Sequence, residues 1–254
     1  MRMTTLFVSL LAFVLAPAWA ADLTVDEVRR TLAAATPGKP ADFSGRSLEG
    51  LDLSNLDLSG ATFANANMRA VKLESARLHG TNLSGAILNL AWLMRADFTD
   101  ANLSGASLQG PVVAPGLEVS PAHAPVFVRA NFAGARVIAR FSRFDLRGAD
   151  FSGARMGADM RNQSMGLMRM EFSGANLEGA TFAGADLGRA LLSWAKLRGA
   201  NFRGASLHMA NFTGADLRGA DLTGADATGA TFEQAKLEGA IGLETVKGLK
   251  LEPR

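Results

Sequence analysis

Residues 175–239 read ANLEG ATFAG ADLGR ALLSW AKLRG ANFRG ASLHM ANFTG ADLRG ADLTG ADATG ATFEQ AKLEG. The same spacing opens at Ala41 (ADFSG RSLEG LDLSN LDLSG) and runs to Gly110, and the second array extends back to Met165. Of the 29 units in 41–110 and 165–239, 27 have Leu or Phe at the centre, with Met68 and Ala227 as exceptions, and 22 carry Ala two residues earlier. A period of five fits neither a helix at 3.6 nor a flat strand at 2. It fits a chain that turns a corner every five residues, with the centre and the small residue two before it inside and the other three outside. Gly at the fifth place suits such a corner because it accepts positive φ without penalty. Four sides would close a coil of about twenty residues, and coils would stack at the inter-strand spacing of about 4.8 Å.

ADLRG (215–219) and ADLTG (220–224) carry a small residue, then Asp, then Leu, then two variable positions. In this the chain resembles the pentapeptide-repeat family. The resemblance implies an all-β fold, a right-handed four-sided (quadrilateral) parallel β-helix solenoid. It also implies function by binding other macromolecules and not by catalysis. With about seven imperfect units in the middle, the array predicts nine coils and a rod of roughly 43 Å.

The flanks read differently. Arg2, the apolar run Leu6–Ala16 and Ala18-Trp19-Ala20 predict a signal peptide over 1–20 cleaved after Ala20, hence a periplasmic or secreted protein with no stable membrane anchor after cleavage. Residues 21–38 are expected to form an N-terminal capping helix, helical over 23–36, with Thr24 and Glu27 as a capping box and Pro37-Gly38 as the stop. The repeat domain is expected over 41–240 and a C-terminal cap or tail over 241–254. Residues 111–129 hold Pro111, Pro115, Pro121 and Pro125 and read as a non-repeat loop. Beyond it the frame slips: ARVI and ARMG look one residue short, and the exact register of 135–164 stays open.

Formal net charge is +2, or +1 without Arg2, too balanced for a polyanion partner. The chain has no Cys and no Tyr, and its three His (His79, His123, His208) are scattered, so no catalytic residues, cofactor or metal ligands are expected. A DNA-mimicking topoisomerase inhibitor, a role known in the resembled family, would need a continuous acidic face. A copper site would need Met156, Met160, Met165, Met168 and Met170 to converge. The partner expected is another protein. The candidate interaction residues are Ile87, Leu90, Trp92 and Met94, apolar where other units are polar, with Phe127 from the loop. Loop 111–129 reads first as a lid that folds back over that patch, with a binding loop built from loop and patch as the alternative. Arg198 stacked on Arg218 is the place where an anion could dock.

Overall fold

The structure, a computed structural model, describes residues 21–115, 120–158 and 168–250. Parallel bridges join residues twenty apart: Asp42 to Thr62 to Asn82 to Asn102 on one side, Ser47 to Asn67 to Ile87 to Ser107 on the next, then Asp52 to Lys72 to Trp92 to Val112, then Asp57 to Arg77 to Asp97. These columns are sides one to four of a square coil. Among the described residues, side one holds ten bridge-forming residues and sides three and four nine each. Each rung is short. Phe43 donates its N–H to the Thr62 carbonyl (2.8 Å), and Thr62 donates back to that of Ala41 (2.9 Å). Among the described residues one pair extends into longer strands, β1 (Ser107–Gln109) and β2 (Arg136–Ile138).

Each place in the five has its own physical task. The centre residues stack inside, and Phe182 lies on Phe202 with centroids 4.9 Å apart and rings 7° from parallel. Both are fully buried. Before each centre stands a rung residue, often Asp or Asn, whose side chain accepts the N–H two residues on. Ser44 to Asp42 (2.9 Å), Ala133 to Asn131 (2.8 Å) and Thr223 to Asp221 (2.9 Å) are examples. This local Asx bond fixes the turn that follows. The fifth residue sits at positive φ, Gly in most units, as at Gly219 (φ 68).

The middle of the rod corrects the expected loop. Pro111–Pro115 and Pro125–Arg129 are both full sides of coil 4. Val112 pairs with Trp92, Val126 pairs with Asp97, and Val113 and Phe127 are buried centres. Prolines stand where Ala is usual. An Ala there donates its N–H back across the corner, as Ala130 does to Phe127 (3.1 Å). Proline gives up that bond but still fills the inward slot. The true excess is the nine residues by which the Asp97–Val126 spacing exceeds twenty, lying between sides three and four. Side two of coil 5 is one residue short, as ARVI suggested, because Asn131 pairs with Asp150 and Arg136 with Arg155. ARMG is not short. Met156 bonds to the Asp186 carbonyl and Ala158 to that of Gly188, so 154–158 is a complete side. Arg155 then pairs with Asp186, 31 residues on, and eleven extra residues enter between sides two and three of coil 6.

At the N-terminal end α1 (Val25–Ala33) carries the capping box, with the Glu27 N–H on Thr24 Oγ1 (3.2 Å) and the Thr24 N–H on Glu27 Oε2 (2.7 Å). It is shorter than 23–36. The antiparallel Thr36–Lys39 pairing turns the chain first. Val28 is fully buried, with Leu23 and Leu32 partly buried against the core. Asp22 joins the edge of coil 1, its N–H bonding the Ser47 carbonyl (3.0 Å) and its carboxylate meeting Arg46 (3.0 Å). At the other end Ile241 and Lys247 continue sides one and two, and Leu243, Val246 and Leu249 pack on the core.

Candidate interaction surface

In AILNLAWLMR (86–95), Ala86, Leu88, Ala91 and Leu93 point inward and are fully buried. That leaves Ile87 on side two, Leu90 at the corner and Trp92 on side three. The fold brings these three together, 41%, 44% and 41% exposed. Leu90 is held at φ 61 and lies over the glycine corner of the next coil, within 3.5 Å of a Cβ placed on Gly110. Lys72 Nζ sits 6.0 Å from the Trp92 ring centroid.

Two predicted members do not belong. Met94, expected at the surface, is 6% exposed. Coil 4 closes over it: the Leu93 N–H bonds the Val112 carbonyl (2.8 Å), and the Arg95 N–H meets the carbonyl of His123 (2.9 Å), where the chain returns from its nine-residue excursion. Phe127, expected in the loop, is fully buried. Its ring stacks between Phe98 (4.8 Å) and Phe141 (5.1 Å) and tilts against Phe132 (5.3 Å). It is a core residue.

The charged face is largely self-satisfied. Lys196, Asp216 and Lys236 form one column, as their spacing predicted. Arg218, however, is bound to Asp216 in a two-pronged pair (2.7 and 2.5 Å). Its guanidinium holds the Asp216 carboxyl below the usual carboxylate range, and Arg147 does the same for Asp145. Arg198 lends the Asp216 carboxylate a second positive charge. The Arg198–Arg218 stack therefore already has a resident carboxylate where an anion would dock. No outward column holds acidic residues in two consecutive coils among the described residues, which is not the continuous acidic face a DNA mimic would need.

The methionines divide. Met156 and Met170 are buried in the core and Met168 is 49% exposed, while Met160 and Met165 fall outside the described residues. Other exposed apolar side chains escaped the sequence reading: Trp194 (62%), Met209 and Ile241. The signal was present for two of them. Trp194 and Met209 are the fifth residues of ALLSW and ASLHM, where the corner prefers Gly.

The model for pentapeptide repeats (8 copies) matches residues 41–74 and 72–110, and that for a pentapeptide repeat region matches 165–241. Among solved structures, HetL, a pentapeptide repeat protein involved in heterocyst differentiation regulation from the cyanobacterium Nostoc sp. strain PCC 7120, is 28% identical over 89% of this chain and 94% of its own, with a TM-score of 0.33. Rfr23, a pentapeptide repeat protein from the cyanobacterium Cyanothece 51142, is 29% identical over 42% of this chain and 61% of its own, at 0.30. QnrB1, a plasmid-mediated fluoroquinolone resistance protein, is 19% identical over 78% and 83%, at 0.44. No curated protein sequence matches. The five-residue register and the matched models over both arrays place this chain in the pentapeptide-repeat family.

Proposed function

We propose that this protein is a non-catalytic docking rod of the bacterial periplasm or cell exterior, which holds a protein partner against its third coil. The observation that carries the reading is the cluster of Ile87, Leu90 and Trp92 on a rod whose outward places are otherwise mostly polar or Gly. Contiguous exposed apolar groups mark contact surfaces, and a tryptophan tends to anchor them. In this reading α1 serves as the N-terminal cap, shielding the apolar end of coil 1. Residues 1–20 direct export, the repeat domain spans 41–240 and residues from 241 close the far end. The family is generally non-enzymatic, which agrees with a chain whose three histidines stand on separate coils.

The test is affinity capture from periplasmic extract with the parent, Ile87→Ser and Trp92→Ser proteins. A protein retained by the parent and lost from both variants, at unchanged melting temperature, is the expected result. Equal retention by all three would sink the patch as a partner site. Export is checked separately: replacing Ala18 and Ala20 with bulky residues should leave unprocessed precursor in the membrane fraction.

A further inference from the structure

Seven large apolar side chains are substantially exposed among the described residues, and they are not spread evenly over the four sides. Trp92 stands on side three. Leu90 and Met209 occupy the corner entering it, and Trp194 the corner leaving it. Met168 lies three residues before the side-three rung Glu171. Only Ile87 and Ile241 face elsewhere. Leu191, half-buried, adds to the same side. Three of these residues sit in the left-handed region, Leu90 at φ 61, Trp194 at φ 60 and Met209 at φ 55. Side chains are disfavoured there and most units place Gly. Packing does not account for this: each lies over the glycine of the next coil, yet remains 44% to 62% exposed. From Trp92 to Met209 the stripe covers five coil spacings, about 24 Å.

The charge on this stripe is mainly positive. Among the described residues over coils 3 to 8, side three and its corners carry Arg95, Arg140, Arg143, Arg169 and Arg189 against Glu171. Arg95 is held by Glu74 of coil 2 and Arg140 by Glu171. Arg143 and Arg189 make no ion pair among the described residues. Positive charge beside exposed tryptophan, leucine and methionine would repel a second copy of the same face. It is the composition of a surface that rests in a lipid headgroup layer, where indoles favour the interface and arginines meet phosphates. The geometry agrees. The knobs are spaced along a flat wall instead of ringing a pocket, whereas protein hot spots cluster in desolvated pockets. A fluid surface can admit each knob independently.

We propose that side three is a lipid-facing surface, by which the rod lies flat on an anionic bilayer with Leu90, Trp92, Trp194 and Met209 dipping into the headgroup boundary and Arg143 and Arg189 on lipid phosphates. This goes beyond the protein-docking reading and draws on the same Leu90 and Trp92; the two are told apart because Ile87, on side two, belongs to the docking patch alone. The test is co-sedimentation of the protein, as purified from the producing cell, with vesicles of phosphatidylglycerol and phosphatidylethanolamine in equal parts, and with pure phosphatidylcholine. The parent should bind the anionic vesicles and leave the neutral ones. The triple variant Leu90→Gly, Trp194→Gly, Met209→Gly puts the residue the corners prefer at all three, so it should melt no lower while losing about tenfold or more in partitioning. Arg143→Gln with Arg189→Gln should cost about thirtyfold on anionic vesicles. Ile87→Ser should bind vesicles as the parent does. Failure of the parent to bind, equal binding to neutral vesicles, or a triple variant that binds like the parent would each overturn the proposal. If instead a soluble acidic protein binds side three in a Trp194-dependent way and vesicles do not, side three is a protein surface and the lipid assignment falls. Loss of vesicle binding with capture through Ile87 intact would leave the protein-docking reading standing.

Discussion

Phe127→Ala separates a core role from a binding role at one residue. The ring is fully buried and contacts three others, Phe98, Phe132 and Phe141, at centroid separations of 4.8 to 5.3 Å. Truncating a buried Phe costs about 3–5 kcal/mol. Each aromatic contact adds about 0.5–1.5 kcal/mol beyond area burial, which sets the expectation at the upper end, about 4–5 kcal/mol. For a domain of this size each kcal/mol lowers the melting temperature by about 2–4 °C, so a drop of roughly 8–20 °C is expected by circular dichroism. Coupling in a stacked array runs between neighbouring coils. Phe98→Ala should therefore be non-additive with Phe127→Ala, because the two share one contact. A variant that melts with the parent but loses its partner would refute the core assignment and put the ring back on the surface.

The acid limit should follow the Asx carboxylates. Asp216, bound by Arg218, Asp145, bound by Arg147, and Asp221 and Asp226, bound by the threonines two residues on, are all depressed in the folded protein. The unfolded chain therefore takes up protons first on acidification, so their stabilisation is present above the ordinary Asp value and fades as pH falls below it. Melting temperatures should be flat from neutral pH to about 5 and fall below about 4; a flat profile to lower pH would contradict the assignment. The corner glycines should not be equivalent. Gly219→Ala meets nothing within 4 Å and carries only the strain of φ 68, whereas a Cβ on Gly242 would come within 2.5 Å of Thr223 Cα. The latter should expose the C-terminal coil to limited proteolysis while the former stays resistant, and equal resistance would refute the packing seen there.

How much was legible varies along the chain, for physical reasons. Where Ala, Leu or Phe and Gly keep their places, as in 175–239, each residue's side, burial and corner followed from spacing alone. The Phe182–Phe202 stack is the result. Coil 4 was illegible because Pro111 and Pro125 fill the Ala slot. Proline is read locally as a breaker, although this slot needs only a compact inward residue and loses a single corner bond. The better signal was the third residue of PVVAP and PVFVR, Val113 and Phe127, apolar at the centre as in every other unit. Met94 was misplaced for a different reason. Its register was right, but the chain beside it does not follow the repeat: the Arg95 N–H meets the carbonyl of His123, a residue outside the five-residue frame. On the candidate surface, the contiguous Ile87, Leu90 and Trp92 were visible as a run. The alignment of Trp194 and Met209 with them depended on counting coils across two insertions whose lengths only the bridges reveal.

Those insertions bear on how the rod assembles. A rung normally closes a stretch of about twenty residues, a separation that stays fixed however long the rod grows. Growth from a first pair of coils is then a zipper, each new turn meeting a template already in place. The excursions raise the separation to 29 at Asp97–Val126 and 31 at Arg155–Asp186. Because closure entropy rises only with the logarithm of length, each adds about 0.3–0.4 kcal/mol to its step. That slows addition of one turn by about twofold at most. The growing end can pass both sites without pausing, so a chain emerging from its amino terminus could wind up in a single sweep.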